Sequence, residues 1–395
     1  MIPKIDNRLA RRLFIERHAL ADAPTPKQSR ADLLALIERL GFVQVDSIQW
    51  VERAHHMILF ARNQTYRQTD LVRLIEKDRA LFENWTHDAS IIPTRFFPFW
   101  RRAMADNEPT LVKHWTNWGR DGFKEQAEDL LAEIARRGPC RTAEVGVDEE
   151  RKSGGWWEWN PSKSSLEYLW RTGRLCICHR KNFQKVYDLT ERVIPAEHVE
   201  PIPDRDALID WCCREALDRL GFATTGDLAA FWKLISPAEA KDWAARQNAL
   251  IEVEVESADG SKPRKHLARP DLLDANPPEP PARVRVLSPF DPMIRDRKRA
   301  KRLFNFDYTI EIFVPEPKRK FGYYVFPLME GDAIIGRIDM KADRKADALV
   351  VKALWLEPKV RPYKGRIARL EAELERQRRF AGVSSLAYED GWMRT

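Results

Sequence analysis

The chain has 395 residues, of which 44% are hydrophobic and 32% charged, with 14 Trp, so it is too long for one ordinary core and too apolar to be disordered. No run approaches the roughly 18 consecutive apolar residues of a membrane span, and MIPKIDNRLARRLFIERHAL at the start has no apolar stretch ending at a small-residue cleavage site; an unsecreted, cytoplasmic protein that avoids membranes is expected. Lys and Arg outnumber Asp and Glu by 67 to 60, and most of that excess lies between Arg283 and Lys345, where they stand 15 to 9, a concentration that suits a phosphate backbone.

In chain order, ADLLALIERL at 31–40 has the apolar spacing of a helix ended by Gly41. A strand from Phe42 to Ile48, a helix over 49–62, a helix from Thr69 to Lys77 and a strand from Leu81 to Trp85 complete a mixed first unit. FKEQAEDLLAEIARRG predicts a helix closed by Gly138, RTAEVGV a short second one, and PSKSSLEYLWRTG a third; strands around GRLCICHR and NFQKVYDLT follow. Three short helices with a two-stranded wing form a winged-helix pattern. It recurs in DALIDWCCREALDRLG, TTGDLAAFW, SPAEAKDWAARQ and the hairpin IEVEVESADGSKPRKHLA. Pro270 to Pro281 cannot hold a helix or central strand and marks a boundary. Beyond it VRVLSP, YTIEIFVP, GYYVFPLM, AIIGRIDMKA and ALVVKALWLE predict a small antiparallel sheet, crossed by a helix from Tyr363 to Phe380. The expected architecture is α+β: a winged-helix-like unit over 1–120, further units over 121–200 and 201–269, a linker over 270–282 and a basic β domain over 283–395.

Within FVQVDSIQW, Gln44 and Asp46 stand two apart, so a strand sends one amide and one carboxylate to the same face while Val43 and Val45 turn to the core. From spacing alone a solvated strand edge is the better reading. The five cysteines are an odd number without a disulfide framework; Cys176 and Cys178 have no second ligand pair at zinc spacing, so neither metal nor cofactor is expected. The tryptophans from Trp156 onward are expected to seal a core rather than stack on bases.

Four segments carry a resemblance: VQVDSIQWVERAHHMILFAR at 43–62, ENWTHDASIIP at 83–93, VYDLTERVIP at 186–195, and LSPFDPMIRDRKRAKRLFNFDYTIEIFVPEPKRKFGYYVFPL at 287–328. Over nearly its whole length the chain resembles the YcaQ and AlkZ family of DNA glycosylases, built of tandem winged helices and a C-terminal β domain. The family's catalytic motif is Gln-x-Gln in one branch and Gln-x-Asp in the other; Gln44-Val45-Asp46 matches the YcaQ branch, which implies excision of N7-alkylated purines and unhooking of interstrand crosslinks. The implied partner is duplex DNA carrying such damage, met by a monomer.

An N7-alkylated purine is already cationic and leaves as a neutral base, so the remaining task is to stabilise an oxocarbenium-like sugar and deliver water to C1′. Asp46 is the candidate for that task, and Gln44 for orienting the water or the sugar. No Lys lies in the catalytic strand, which favours a monofunctional enzyme over a lyase. His55 and His56, adjacent on a helix, and His87, by resemblance, are candidates for the cleft. The run Arg295, Arg297, Lys298, Arg299, Lys301, Arg302 and the turn Lys318-Arg319-Lys320 are candidates for gripping phosphates. The rival from another class is a winged-helix transcription regulator without catalysis, which would have no use for Gln44 and Asp46.

Overall fold

The computed structural model describes residues 2–117, 123–145 and 161–394. The first helix, Asn7–Arg17, is capped by the Asp6 carboxylate on the Leu9 N–H, and the second, Arg30–Leu40, by a reciprocal Ser29 and Asp32 box. Gly41 then turns the chain at φ 89°; a side chain here would also strike Arg219 Nε at 2.6 Å and the Trp232 ring at 2.7 Å. The turn delivers Val43–Gln44 to a three-stranded antiparallel sheet, where Ala89–Pro93 lies centrally and Leu81–Trp85 on its far side.

This strand is shorter than the alternation predicts. The Val45 N–H still donates to the Ala89 carbonyl at 2.8 Å, but the partner strand ends there, and Asp46 Oδ1 accepts the Ile48 N–H instead, bending the chain away. Residues 49–53 also stay out of the next helix, which is Ala54–Arg62. Ile48 and Trp50 pack on the C-terminal core, and the Trp50 carbonyl accepts the Ala342 N–H at 3.0 Å; tertiary contact overrides helical periodicity. Two further elements escaped the sequence reading: the central strand Ala89–Pro93 and a long helix, Phe97–Asn117, containing Pro109.

Helices Phe123–Arg137 and Pro161–Arg171 pack beside a sheet in which Gln184–Leu189 lies between Cys140–Arg141 and Leu175–Lys181. The expected second helix is represented by one 3₁₀ turn, Thr142–Glu144. Its end at residues 146 and 147, and the Trp156, Trp157 and Trp159 cluster, lie outside the described residues. Helices Arg205–Leu220, Thr225–Trp232 and Pro237–Ala245 follow, then the hairpin Ile251–Val255 and Arg264–Ala268. Its outer strand pairs in parallel with Lys4–Ile5, so this sheet takes one strand from the start of the chain.

The C-terminal sheet is not purely antiparallel as expected. Val284–Val286, Val325–Glu330, Ala333–Asp343 and Ala348–Leu356 are antiparallel, but Ser385–Tyr388 and Met393–Arg394 join the last of them in parallel. YTIEIFVP forms no strand: the Glu311 carboxylate accepts the N–H groups of Lys320, Phe321 and Gly322, folding the segment into a pinned loop. Helix Lys364–Ala381 lies against this sheet through Leu370 and Leu374. Arg62 and Asp291, both buried, join the first unit to the C-terminal one by two hydrogen bonds of 2.7 and 2.9 Å. Removing either partner strands a buried charge, at about 3–5 kcal/mol. Among the described residues no helix is long and apolar enough to cross a membrane.

Candidate active site

The three-stranded sheet sorts its side chains by register. Gln44 faces Ser90 and Ser90 faces Asn84 across the strands, so these three share one face, while Val43, Ile91 and Glu83 share the other. The polar face is not the exposed one that strand alternation suggests. Gln44 is 4% exposed and Ser90 fully covered, and a buried amide must find partners at both ends.

It finds them. His87 Nε2 lies 2.9 Å from Gln44 Oε1, and Gln44 Nε2 donates to Asp88 Oδ2 at 3.1 Å. On the far side of the imidazole, Arg295 Nη1 donates to His87 Nδ1 at 3.0 Å. A guanidinium has no acceptor, so Nδ1 accepts and the ring proton sits on Nε2, from which it is donated to Gln44. Burial, reinforced by the charges of Arg295 and Lys233, lowers the His87 pKa to about 3 and keeps the ring neutral. The direction of every bond in the row Arg295, His87, Gln44, Asp88 is thereby fixed. Arg295 is itself held by the Phe231 carbonyl at 3.0 Å and lies near the Phe42 and Phe231 rings; burial pulls its pKa down to about 10, leaving it charged at neutral pH.

Asp46 follows two residues on, half-buried. Burial raises its pKa and the nearby Asp88 charge adds to the rise, against the opposing Ile48 N–H bond of 2.8 Å. Among the described residues that is its one hydrogen bond, so the second oxygen is available to a ligand or water. Tyr324, fully buried, is near enough for the Asp46 charge to raise its pKa. Two open clefts are lined in part by residues close to these in the chain. One, of about 630 Å³, is lined by Asn84, Thr86, Lys233 and Arg171; the other, of about 580 Å³, by Trp50, Tyr323 and Asp339.

The other candidates divide. His87 joins Gln44; His55 and His56 do not. They line a separate cavity of about 230 Å³ with Val45, Glu83 and Ile91, behind the sheet, because Val45 points opposite to its two polar neighbours. Burial lowers both pKa values, that of His56 to about 4, and His56 Nδ1 meets Tyr66 Oη at 2.7 Å, while His55 Nδ1 has no partner. Cys176 and Cys178 are buried thiols with pKa values pushed up to about 12 and 11. Among the described residues no group of three His, Cys, Asp or Glu could hold a metal ion.

Of the basic residues, Arg297 donates to the Ile294 and Pro289 carbonyls, and Arg299 to Asp227 and the Phe222 carbonyl. These two are bound into the protein rather than offered to a phosphate, as is Arg295. Lys298, Lys318 and Lys320 are exposed, and Arg319 lies half-buried over the Tyr323 ring, donating to the Val314 carbonyl. Sequence reasoning missed Asp88, the inward role of Arg295, and Phe313, 92% exposed on the pinned loop. A hairpin recognised in ENWTHDASIIP would have placed His87 and Asp88 opposite Gln44.

Two comparisons bear on this arrangement. A family model described as DNA glycosylase AlkZ-like matches residues 37–380, which include every residue of the polar row. The fold is similar to that of the solved Streptomyces sahachiroi DNA glycosylase AlkZ, at a TM-score of 0.65 and 19% identity, covering 99% of this chain and 100% of that one.

Proposed function

We propose, from the premise that this chain belongs to the family of AlkZ-like DNA glycosylases, that it hydrolyses the N-glycosidic bond of N7-alkylated purines and unhooks crosslinks that join such purines across a duplex. Membership makes it a DNA repair glycosylase, a hydrolase; the substrate and the residue roles are the proposal. The observation that carries them is the half-buried Asp46 carboxylate with one unengaged oxygen, next in alternation to an amide whose orientation is fixed from behind.

In the reaction proposed, the C1′–N9 bond breaks first. Its electron pair neutralises the cationic base, so no strong acid is needed to expel it. The sugar becomes oxocarbenium-like, and the Asp46 carboxylate stabilises that charge, accepts a proton from water and directs its oxygen to C1′, leaving an abasic site. Gln44 gives its oxygen to His87 and one N–H to Asp88, so its second N–H is free to hold the water or the deoxyribose. The raised pKa of Asp46 makes it a better base than a free carboxylate while leaving the ionised form as the active one.

The setting supports a duplex substrate. A crosslinked base is tethered to the opposite strand and cannot swing into a deep pocket, and Asp46 is only half-buried and lines no enclosed pocket among the described residues. Lys298, Lys318 and Lys320 offer phosphate contacts, and Phe313 an aromatic face for a disturbed base step. The repeated helical units with hairpins fit tandem winged helices around DNA. Incubating the protein with a duplex joined by a nitrogen-mustard crosslink at guanine N7, then cleaving abasic sites and separating strands under denaturing conditions, tests the proposal. Unhooking by wild type and not by Asp46→Asn is expected; duplex binding without base release by either would overturn it in favour of a DNA-binding regulator.

A further inference from the structure

The cleft of about 580 Å³ is lined by Trp50, Arg319, Lys320, Tyr323, Asp339 and Lys352, with Phe321, Gly322 and Glu316 completing it. Three features set it apart. Its walls are aromatic: Trp50 and Tyr323 pack together with ring centroids 5.1 Å apart, and Phe321 continues the surface. Its cations, Arg319, Lys320 and Lys352, outnumber its carboxylates. Its floor is Asp339, 8% exposed, whose Oδ1 has no hydrogen-bond partner.

An unpaired acceptor oxygen is unusual at so covered a position. Burial raises the Asp339 pKa, against the nearby Lys352 charge and the Trp50 indole N–H; in hydrogen-bond geometry both Trp50 Nε1 and Asp339 Oδ1 remain unpaired. Oδ1 is sealed, so Oδ2 is the oxygen the cleft can reach. Gly322, at φ +137°, packs against that carboxyl, and a Cβ there would lie 2.5 Å from Oδ2.

An aromatic surface, an unpaired carboxylate oxygen and cations at the rim are the three parts that bind a base, its hydrogen-bonding edge and its phosphate. An ionised carboxylate only accepts, so it selects an edge rich in donors; guanine, with adjacent N1–H and N2–H groups, offers two side by side, and alkylation at N7 leaves that edge intact. We infer that this cleft is a guanine-nucleotide subsite, with the base beside the Trp50 and Tyr323 rings, its N1–H and N2–H converging on Asp339 Oδ2, and its phosphate among Arg319, Lys320 and Lys352. Trp50 of this cleft stands four residues beyond Asp46 in the chain. That the guanine comes from damaged DNA rests on the glycosylase reading; that the cleft takes guanine does not.

The test is direct binding of guanosine 5′-monophosphate and adenosine 5′-monophosphate to the full chain by titration calorimetry, without any DNA or turnover. Wild type is expected to prefer the guanine nucleotide about tenfold or more, the discrimination given by one well-read base edge. Asp339→Asn, close in shape, should erase the preference, while Lys352→Ala should weaken both nucleotides together and keep it. Asp46→Asn should leave it unchanged. Equal binding of the two nucleotides to wild type, no binding of either, or a preference that survives in a folded Asp339→Asn protein would each overturn the assignment. A guanine preference without base release in the crosslink assay would sink the glycosylase proposal and leave this one standing.

Discussion

The two faces of the small sheet at residues 43–44, 81–85 and 89–93 both bury imidazoles, and they use them differently. Behind the sheet His55 and His56 lie with ring centroids 4.1 Å apart in a largely apolar cavity, and His55 Nδ1 is unpaired. In front, His87 is bonded at both nitrogens, to a fixed donor and to the catalytic candidate. Burial lowers the pKa on either face. A depressed pKa therefore does not distinguish a packed imidazole from a working one; the partners do.

The largest effect that would sharpen this contrast is at the end of the wired face. Asp46→Asn should slow base release by about 10²- to 10⁴-fold with duplex affinity little changed, measured by single-turnover kinetics beside an equilibrium binding assay. Next comes His87→Ala, which frees the Gln44 amide to rotate and should cost about 10- to 100-fold, the usual scale for a supporting hydrogen-bond partner. His55→Ala should leave the rate unchanged, and an equal loss in both variants would break the comparison.

Acid should then act on both faces together. His87 in front and His56 behind have pKa values lowered from 6.5 to about 3 and about 4, so the folded protein binds fewer protons than the unfolded chain. The stability this gives is complete above pH 6.5 and is lost as pH falls toward 3. Urea unfolding across that window should show it, with a shallower slope in His87→Ala. Activity should fall with acid at a higher pH than an ordinary carboxylate would give, because the Asp46 pKa is raised. The smallest effects separate outward from inward cations: Lys318→Ala and Lys320→Ala should each reduce the salt slope of DNA binding by about 1. Arg297→Ala and Arg299→Ala should leave that slope alone and lower stability.

The sequence discloses this site unevenly, for physical reasons. Alternation in FVQVDSIQW exposes Gln44 and Asp46 because period-two patterning is local, and helix 30–40 is equally plain from its spacing and Gly41. Asp88 and Arg295 depend on register and on a contact between residues 208 positions apart, which no local pattern encodes. The charge run at 295–302 is misleading too: solvation is the default for Arg, and the local Ile294 and Pro289 carbonyls with the distant Asp227 and Phe222 carbonyl turn it inward. YTIEIFVP has β-forming residues, but the Glu311 carboxylate within it is bound by the N–H groups of Lys320, Phe321 and Gly322, which closes a loop instead of a ladder.

The parallel pairing of Lys4–Ile5 with Glu254–Val255 has a consequence for synthesis. The first strand is made first and its partner some 250 residues later, an interval of about 12 to 50 s at ordinary translation rates. Until then Ile5, buried in the finished molecule, lacks the strand beside it. A chain that stops short of this hairpin therefore leaves its first strand unpaired, the condition in which a terminus is most readily cut by proteases.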